Sequence, residues 1–186
     1  MLAAGAGARF GSAKQLAEID GECLVRRAAN TALASTCASV RVVVGAHRAE
    51  VEAALEGIDI QLVSNPLWEE GMASSIRAGL QAVASDLPRA DAALLLLADQ
   101  VAVTPELLDA LIERFETGEA DLVACAYADT QGPPALFGRR FFAELEELRG
   151  DRGARSVLSG HRGELALVDF PGGTADVDTP ADLRRL

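Results

Sequence analysis

The sequence predicts an α/β fold on a mostly parallel sheet, and three observations carry that expectation. Apolar, β-rich runs alternate with helical patterns along the chain. Hydrophobic residues make up 49% of the 186 residues and aromatics only 4%, so the core must be built from Ala, Leu and Val. The length suits a single domain over residues 1–186 with a real core, and no internal repeat or low-complexity linker interrupts it.

The elements follow in order. Met1–Ala4 reads as a first strand, short for a central position where about five residues or more are usual, so residues ahead of Met1 are expected. Val40–Val44 reads as a buried strand, Arg48–Leu55 as a helix, Ile58–Val63 as a strand and Ser74–Ala84 as a helix. Ala92–Ala98 is apolar throughout and reads as a strand buried on both faces. Thr104-Pro105-Glu106 opens a helix, with Thr104 as N-cap and Pro105 in the first turn, running to about Phe115. Asp121–Tyr127 is the next strand, Arg139–Leu148 and Ala154–Leu158 look helical, and Leu165–Phe170 is a late strand. Thr179-Pro180 caps a short last helix. Ligands in such sheets sit outside the carboxyl ends of the strands, which puts the loops after Ala4, Val63, Ala98 and Phe170 on one edge.

Charge excludes some classes of function. The chain has 17 Lys and Arg against 28 Asp and Glu, a formal charge of -11. Such a chain repels nucleic acid and anionic membranes, so any anion site must be local. Cys23, Cys37 and Cys125 form no CxxC pair and read as small, buried or half-buried side chains in a reducing cytosol. His47 and His161 have no zinc-site spacing and read as surface residues. Ala92–Ala98 is too short to span a bilayer, and the start lacks the features of a signal peptide, so a cytoplasmic location is expected.

One local anion site is visible. Gly5 to Gly11 reads G-A-G-A-R-F-G. It fails the dinucleotide pattern G-x-G-x-x-G because Phe10 occupies the third glycine position, and it fails Walker A because Ala13 precedes and Gln15 follows Lys14. The physics is still that of a phosphate cradle. Glycines bring backbone N–H groups close to phosphate oxygens, Arg9 can fork onto two of them, and Lys14 adds a point charge.

Five segments in chain order resemble the MobA-like nucleotidyltransferases. They are L-A-A-G-x-G-x-R-F-G-x-x-K-Q-L from Leu2, N-P-x-W-x-x-G-M-x-S-S from Asn65, L-L-x-A-D-Q ending at Gln100, G-D-x-G-A-R from Gly150, and D-x-D-T-P-x-D-L from Asp176. The resemblance implies a three-layer, Rossmann-like sandwich of the nucleotide-diphospho-sugar transferase type. LAAG with ADQ is similar to the molybdenum cofactor cytidylyltransferases, implying CTP over GTP and a phosphorylated acceptor such as molybdopterin. It also implies a molybdoenzyme or its chaperone as a downstream partner. Two positions depart from the family pattern: Val101 stands where Pro is usual and Pro133 where His is usual. Both belong to the acceptor side.

Site residues follow from pattern and resemblance together. Asp99 ends an apolar run with a carboxylate, which packing does not require, and Mg2+ wants hard oxygen ligands. The resemblance places a second metal ligand at Asp178, with Asp176 next in line, and makes Arg9, Lys14 and Asp99 the catalytic group. It assigns nucleotide binding to Leu2, Ala3, Ala4, Gly5, Gly7, Asn65, Gly71, Met72, Ser74 and Ser75. Gly150–Arg155 would face the acceptor phosphate. Trp68 reads as packing. A phosphate attacking phosphorus needs no strong general base, in keeping with a sequence that shows no Ser/His/Asp or Cys/His arrangement. Two alternatives stand beside this: an NAD(P)H-dependent oxidoreductase of the same fold, and a nucleotide-binding module that delivers cofactor to a partner enzyme.

Overall fold

The computed structural model describes residues 1–7 and 10–184. Arg9, one of the expected catalytic residues, lies outside the described residues. A two-stranded hairpin, β1 (Glu18–Ile19) and β2 (Glu22–Cys23), leads into α1 (Leu24–Leu33). Then come β3 (Arg41–Val44), α2 (Arg48–Ala54), β4 (Gln61–Ser64), α3 (Met72–Asp86), β5 (Ala92–Leu95) and α4 (Pro105–Glu116). The chain continues with β6 (Leu122–Tyr127), β7 (Thr130–Gly138), α5 (Phe142–Glu146), α6 (Arg155–Gly160), β8 (Leu165–Asp169) and α7 (Pro180–Leu183).

β3 and β4 pair in parallel, and a four-stranded ladder runs β5-β7-β6-β8. Within it β6 and β8 are parallel, while β7 is antiparallel to both of its neighbours. Residues 1–4 stitch the two ladders together. Leu2 bridges Val43 and Leu97 in parallel, the Leu2 N–H donates to the Leu96 carbonyl at 2.8 Å, and the Ala3 N–H donates to the Val43 carbonyl at 2.9 Å. The sheet is therefore mixed, with β7 the antiparallel strand. Alternation along β6 sends Val123 and Cys125 to one face, with residues of α1, α2 and α4, and Leu122 and Ala124 to the other, with residues of α3, α5 and α6. That makes the three-layer sandwich.

Several boundaries differ from expectation. The Ala92–Ala98 run pairs regularly only to Leu95, and Ala92–Leu94 are half-buried because they face a cavity of about 680 Å³. Val40, Val83, Leu87, Ile112 and Phe115 line that cavity. Met1–Ala4 forms isolated bridges instead of a strand, and β4 starts at Gln61. Arg139–Leu148 splits into a 3-10 turn, Arg139–Phe141, and the short α5. Neither α1 nor β7 was expected as an element. The start of α4 is as expected: the Leu107 N–H donates to Thr104 Oγ1 at 3.3 Å, and Pro105 sits in the first turn.

His47 and His161 are half-buried, not fully on the surface; His161 Nε2 lies 2.8 Å from Glu144 Oε2 and its ring meets Phe141 edge-on. The three cysteines are unpaired, and burial pushes the Cys125 thiol up to about 12. Among the described residues no helix is long and apolar enough to cross a membrane.

Candidate active site

Lys14 opens a 3-10 turn, Lys14–Leu16, directly after the glycine loop. The next residue anchors that loop. Gln15 is buried, and its Nε2 donates to the Ala3 carbonyl at 2.9 Å and to the Gly5 carbonyl at 2.5 Å. Gly7 has φ +67°, and a Cβ there would collide with the Ser12 carbonyl, so the loop can follow this path only with glycine.

Asp99 leaves the end of the apolar run that begins as β5. The C-terminal segment is brought to it by backbone pairing. The Val177 N–H donates to the Asp99 carbonyl at 3.2 Å, and Gln100 bridges Asp176 in antiparallel fashion. Asp182 Oδ2 accepts from the N–H groups of Asp178 and Thr179 and from Thr179 Oγ1, fixing the turn from which Asp178 projects.

Three distant residues meet as a result. Lys14 Nζ donates to Asp99 Oδ2 at 2.5 Å and to Asp178 Oδ1 at 3.0 Å. Burial opposes the charge on Lys14, yet the Asp99 carboxylate and the hydrogen bonds to Asp99 and Asp178 outweigh it and hold its pKa above the usual lysine value. Asp176 stands beside them, and burial, followed by the charges of Asp99 and Asp178, pushes its carboxyl up to about 6.

The donor set suits a hard divalent cation. Asp99 Oδ1 is buried and has no hydrogen-bond partner among the described residues, and Oδ2 meets the Lys14 ammonium, so the carboxylate is ionised and carries hard oxygen donors at the cleft. Among the described residues no three His, Cys, Asp or Glu side chains form a metal cage. Mg2+ does not require one, since one or two carboxylates plus substrate phosphates are its usual ligands.

A cleft of about 740 Å³ surrounds this cluster. Of the expected residues, Leu2, Ala3, Ala4, Gly5, Gly7, Lys14, Gly71, Met72, Ser75, Asp99 and Asp178 line it. Asn65 and Ser74 stand behind the wall, each 3% exposed. Asn65 Nδ2 donates to Ser74 Oγ at 2.8 Å and to Ser75 Oγ at 3.0 Å, and Ser74 Oγ donates to the Gly71 carbonyl at 2.8 Å. These two brace the start of α3. Trp68 packs, as expected, with its Cβ against Gly45, and it also borders the cleft.

The far end of the cleft is the expected acceptor side. Gly71 abuts Gly150 and Asp151, and the Ala73 N–H donates to the Gly150 carbonyl at 3.0 Å, so the start of α3 and the 150–155 loop interlock. Arg155 lines the cleft there, and its Nη2 donates to the Tyr127 hydroxyl at 3.2 Å. Gln100 Nε2 donates to the Pro133 carbonyl at 2.9 Å, which puts the two departures, Val101 and Pro133, in one neighbourhood.

Gln15 and Tyr127 were not singled out from the sequence. Tyr127 could have been flagged as the one tyrosine of the chain, at the carboxyl end of a strand. Gln15 carries no such signal beyond its place in the K-Q-L segment.

The chain has known relatives along nearly its whole length. The chain is 30% identical over 195 residues to the purine catabolism protein PucB of Bacillus subtilis (strain 168), covering 97% of this chain and 91% of that protein. It is also 30% identical over 195 residues to the nicotine blue oxidoreductase of Paenarthrobacter nicotinovorans, covering 100% and 94%. The crystal structure of Rv0371c from Mycobacterium tuberculosis H37Rv superposes with a TM-score of 0.81 at 31% identity, covering 99% of this chain and 94% of that one. Rv0371c complexed with manganese superposes with a TM-score of 0.80 at 28% identity, covering 100% and 94%. Residues 1–165 match the model of the MobA-like NTP transferase domain, and with a glycine loop, a strand-end carboxylate and a returning C-terminal aspartate meeting in one cleft, the chain belongs to that family.

Proposed function

We propose that the protein transfers CMP from CTP to a phosphate group of a small acceptor such as molybdopterin and releases pyrophosphate. The observation that carries this reading is the contact of Lys14 with both Asp99 and Asp178 in a cleft that the glycine loop and Arg155 also line. The preference for CTP rests on the LAAG and ADQ segments.

Asp99 and Asp178 would hold Mg2+, which supplies charge neutralisation for the triphosphate. Lys14 and the N–H groups of the glycine loop bind the phosphates, and Gln15 holds that loop in register with residues 3–5. Arg155 orients the acceptor phosphate. An oxygen of that phosphate attacks the α-phosphorus in line; the new P–O bond forms as the α–β bridging bond breaks, and pyrophosphate leaves with the electron pair. The acceptor phosphate is largely dianionic at neutral pH, with a second pKa of about 6, so no side chain need remove a proton. Catalysis is positioning plus electrostatic stabilisation.

A second reading is favoured by one relative being an oxidoreductase by name. Against it stands a loop whose third glycine position is Phe10.

The test is a thermal-shift panel of CTP, GTP, ATP and UTP with and without Mg2+, followed by a pyrophosphate-release assay. A CTP-selective, metal-dependent rise in Tm is expected. No shift with any nucleotide, together with NADPH-dependent dye reduction, would replace the transferase reading with the oxidoreductase one.

A further inference from the structure

Resting on the metal site proposed above, we infer that Lys14 and the divalent ion compete for the same carboxylate oxygens. Lys14 holds Asp99 and Asp178 together until the metal arrives with a nucleotide, and then moves onto the phosphates. The geometry leaves little room for both cations. Lys14 Nζ is 2.5 Å from one oxygen of Asp99 and 3.0 Å from one oxygen of Asp178, so it occupies the point that an ion bridging the two carboxylates would take. Divalent ions sit about 2.0–2.6 Å from such oxygens. An ion and an ammonium on the same two oxygens would stand within a few ångströms of each other, where like charges in a partly desolvated site repel strongly. The second Asp99 oxygen, Oδ1, is closed off from solvent, so at Asp99 an ion entering from the cleft meets the oxygen that Lys14 holds.

The consequence is a binding order. Metal alone must evict an ammonium from two carboxylates, with only the neighbouring Asp176 carboxyl to turn to. A triphosphate supplies a further anion, and the four-carbon lysine stem is flexible enough to reach it. Metal and nucleotide should therefore bind with positive cooperativity, each favouring the other by the same factor. The rival arrangement, an ion on Asp99 Oδ1 with Lys14 left in place, gives no such competition.

Electron paramagnetic resonance of free Mn2+, read against protein-free mixtures of Mn2+ and analogue, measures this on the native protein and on Lys14→Met and Asp99→Asn, each alone and with a non-hydrolysable CTP analogue. Losing one charge-assisted hydrogen-bonded partner should make Lys14→Met bind Mn2+ alone about tenfold more tightly than the native protein. The same variant should bind Mn2+ with the analogue about tenfold more weakly, because a phosphate ligand is lost. This reversal of sign is not what a merely structural role would give. Lys14→Gln, which keeps a donor without the charge, gives the same readout where the Met variant fails to fold. An unchanged or weaker affinity for Mn2+ alone in both lysine variants overturns the exchange and leaves the metal site standing. Native Mn2+ affinity in Asp99→Asn overturns the metal site, and with it the proposed function.

Discussion

Gly71 lines the cleft where it abuts the 150–155 loop, and replacing it with alanine should damage both stability and binding. Its φ of 97° and ψ of -175° lie in a region essentially reserved for glycine, where another residue costs about 1–3 kcal/mol. The added Cβ would also stand 2.5 Å from Asp151 Oδ1, 2.6 Å from the Gly150 carbonyl carbon and 2.7 Å from its oxygen. Two of those three atoms are backbone and cannot swing aside, so overpacking adds about 1–3 kcal/mol. The alanine gains about 0.4–1 kcal/mol by restricting the unfolded chain, which offsets only part of the loss. The net cost is about 1–5.6 kcal/mol, or a fall in Tm of about 2–22 °C for a chain of this size. Gly57 provides the control: its φ is +79°, but nothing lies within 4 Å of its would-be Cβ. There the left-handed penalty of about 1–2 kcal/mol is partly offset in the same way, leaving about 1 kcal/mol. Urea unfolding of both variants, with nucleotide titration of each, checks the difference. Equal losses for Gly71→Ala and Gly57→Ala would refute the claim that the interlock with Gly150, and not the sign of φ, fixes this residue.

Gln15→Leu removes the two bonds to the Ala3 and Gly5 carbonyls and should cost about 1–3 kcal/mol of stability. It should also weaken nucleotide binding more than a destabilising substitution in the 680 Å³ cavity does, which titration of both variants would decide. In metal-free protein, Asp176→Asn should raise Tm at about pH 8 and leave it nearly unchanged at about pH 4. The Asp176 carboxyl is pushed up from 3.8 to about 6, so its favourable, protonated contribution is complete below the unfolded pKa and lost as pH rises through the folded one. The same change in Tm at both pH values would contradict that shift.

Some of this architecture was legible because local chemistry announces it. Thr104-Pro105 punctuates α4, and Asp99 is conspicuous as a carboxylate after an apolar run. Helix α1 announces nothing: Cys23 at its N-cap makes no side-chain cap bond, and Arg26 and Arg27 sit inside its first turns. β7 was hidden by Pro133 and Pro134, residues that argue against a strand inside a sheet. The register explains how they are tolerated. Ala124 pairs with Ala135 and Cys125 with Gly132, so both prolines fall in the shift between those pairs and owe no ladder hydrogen bond. The contacts of Lys14 with Asp99 and Asp178 span 85 and 164 positions of the chain, a distance no periodicity reports, and only the family resemblance nominated all three. Gln15 escaped because one amide bonding main-chain carbonyls leaves no pattern of spacing.

The cleft lies on the seam between the β3–β4 ladder and the four-stranded ladder, and residues 1–4 bond to both sides of it. The glycine loop springs from that same segment, so its position is set by backbone pairing. Backbone also sets the carboxylates: Val177 pairs with Asp99, and Gln100 with Asp176, before any side chain of the site is considered. The main chain at Asp178 is fixed by the capping of α7 through Thr179 and Asp182. The main chain at both carboxylate residues is thus placed by pairing and capping, while Lys14 bonds the carboxylate oxygens themselves. Removing the lysine should change the charge at the centre and leave the shape of the cleft intact, which is why metal affinity, and not the fold, is the quantity that separates its possible roles.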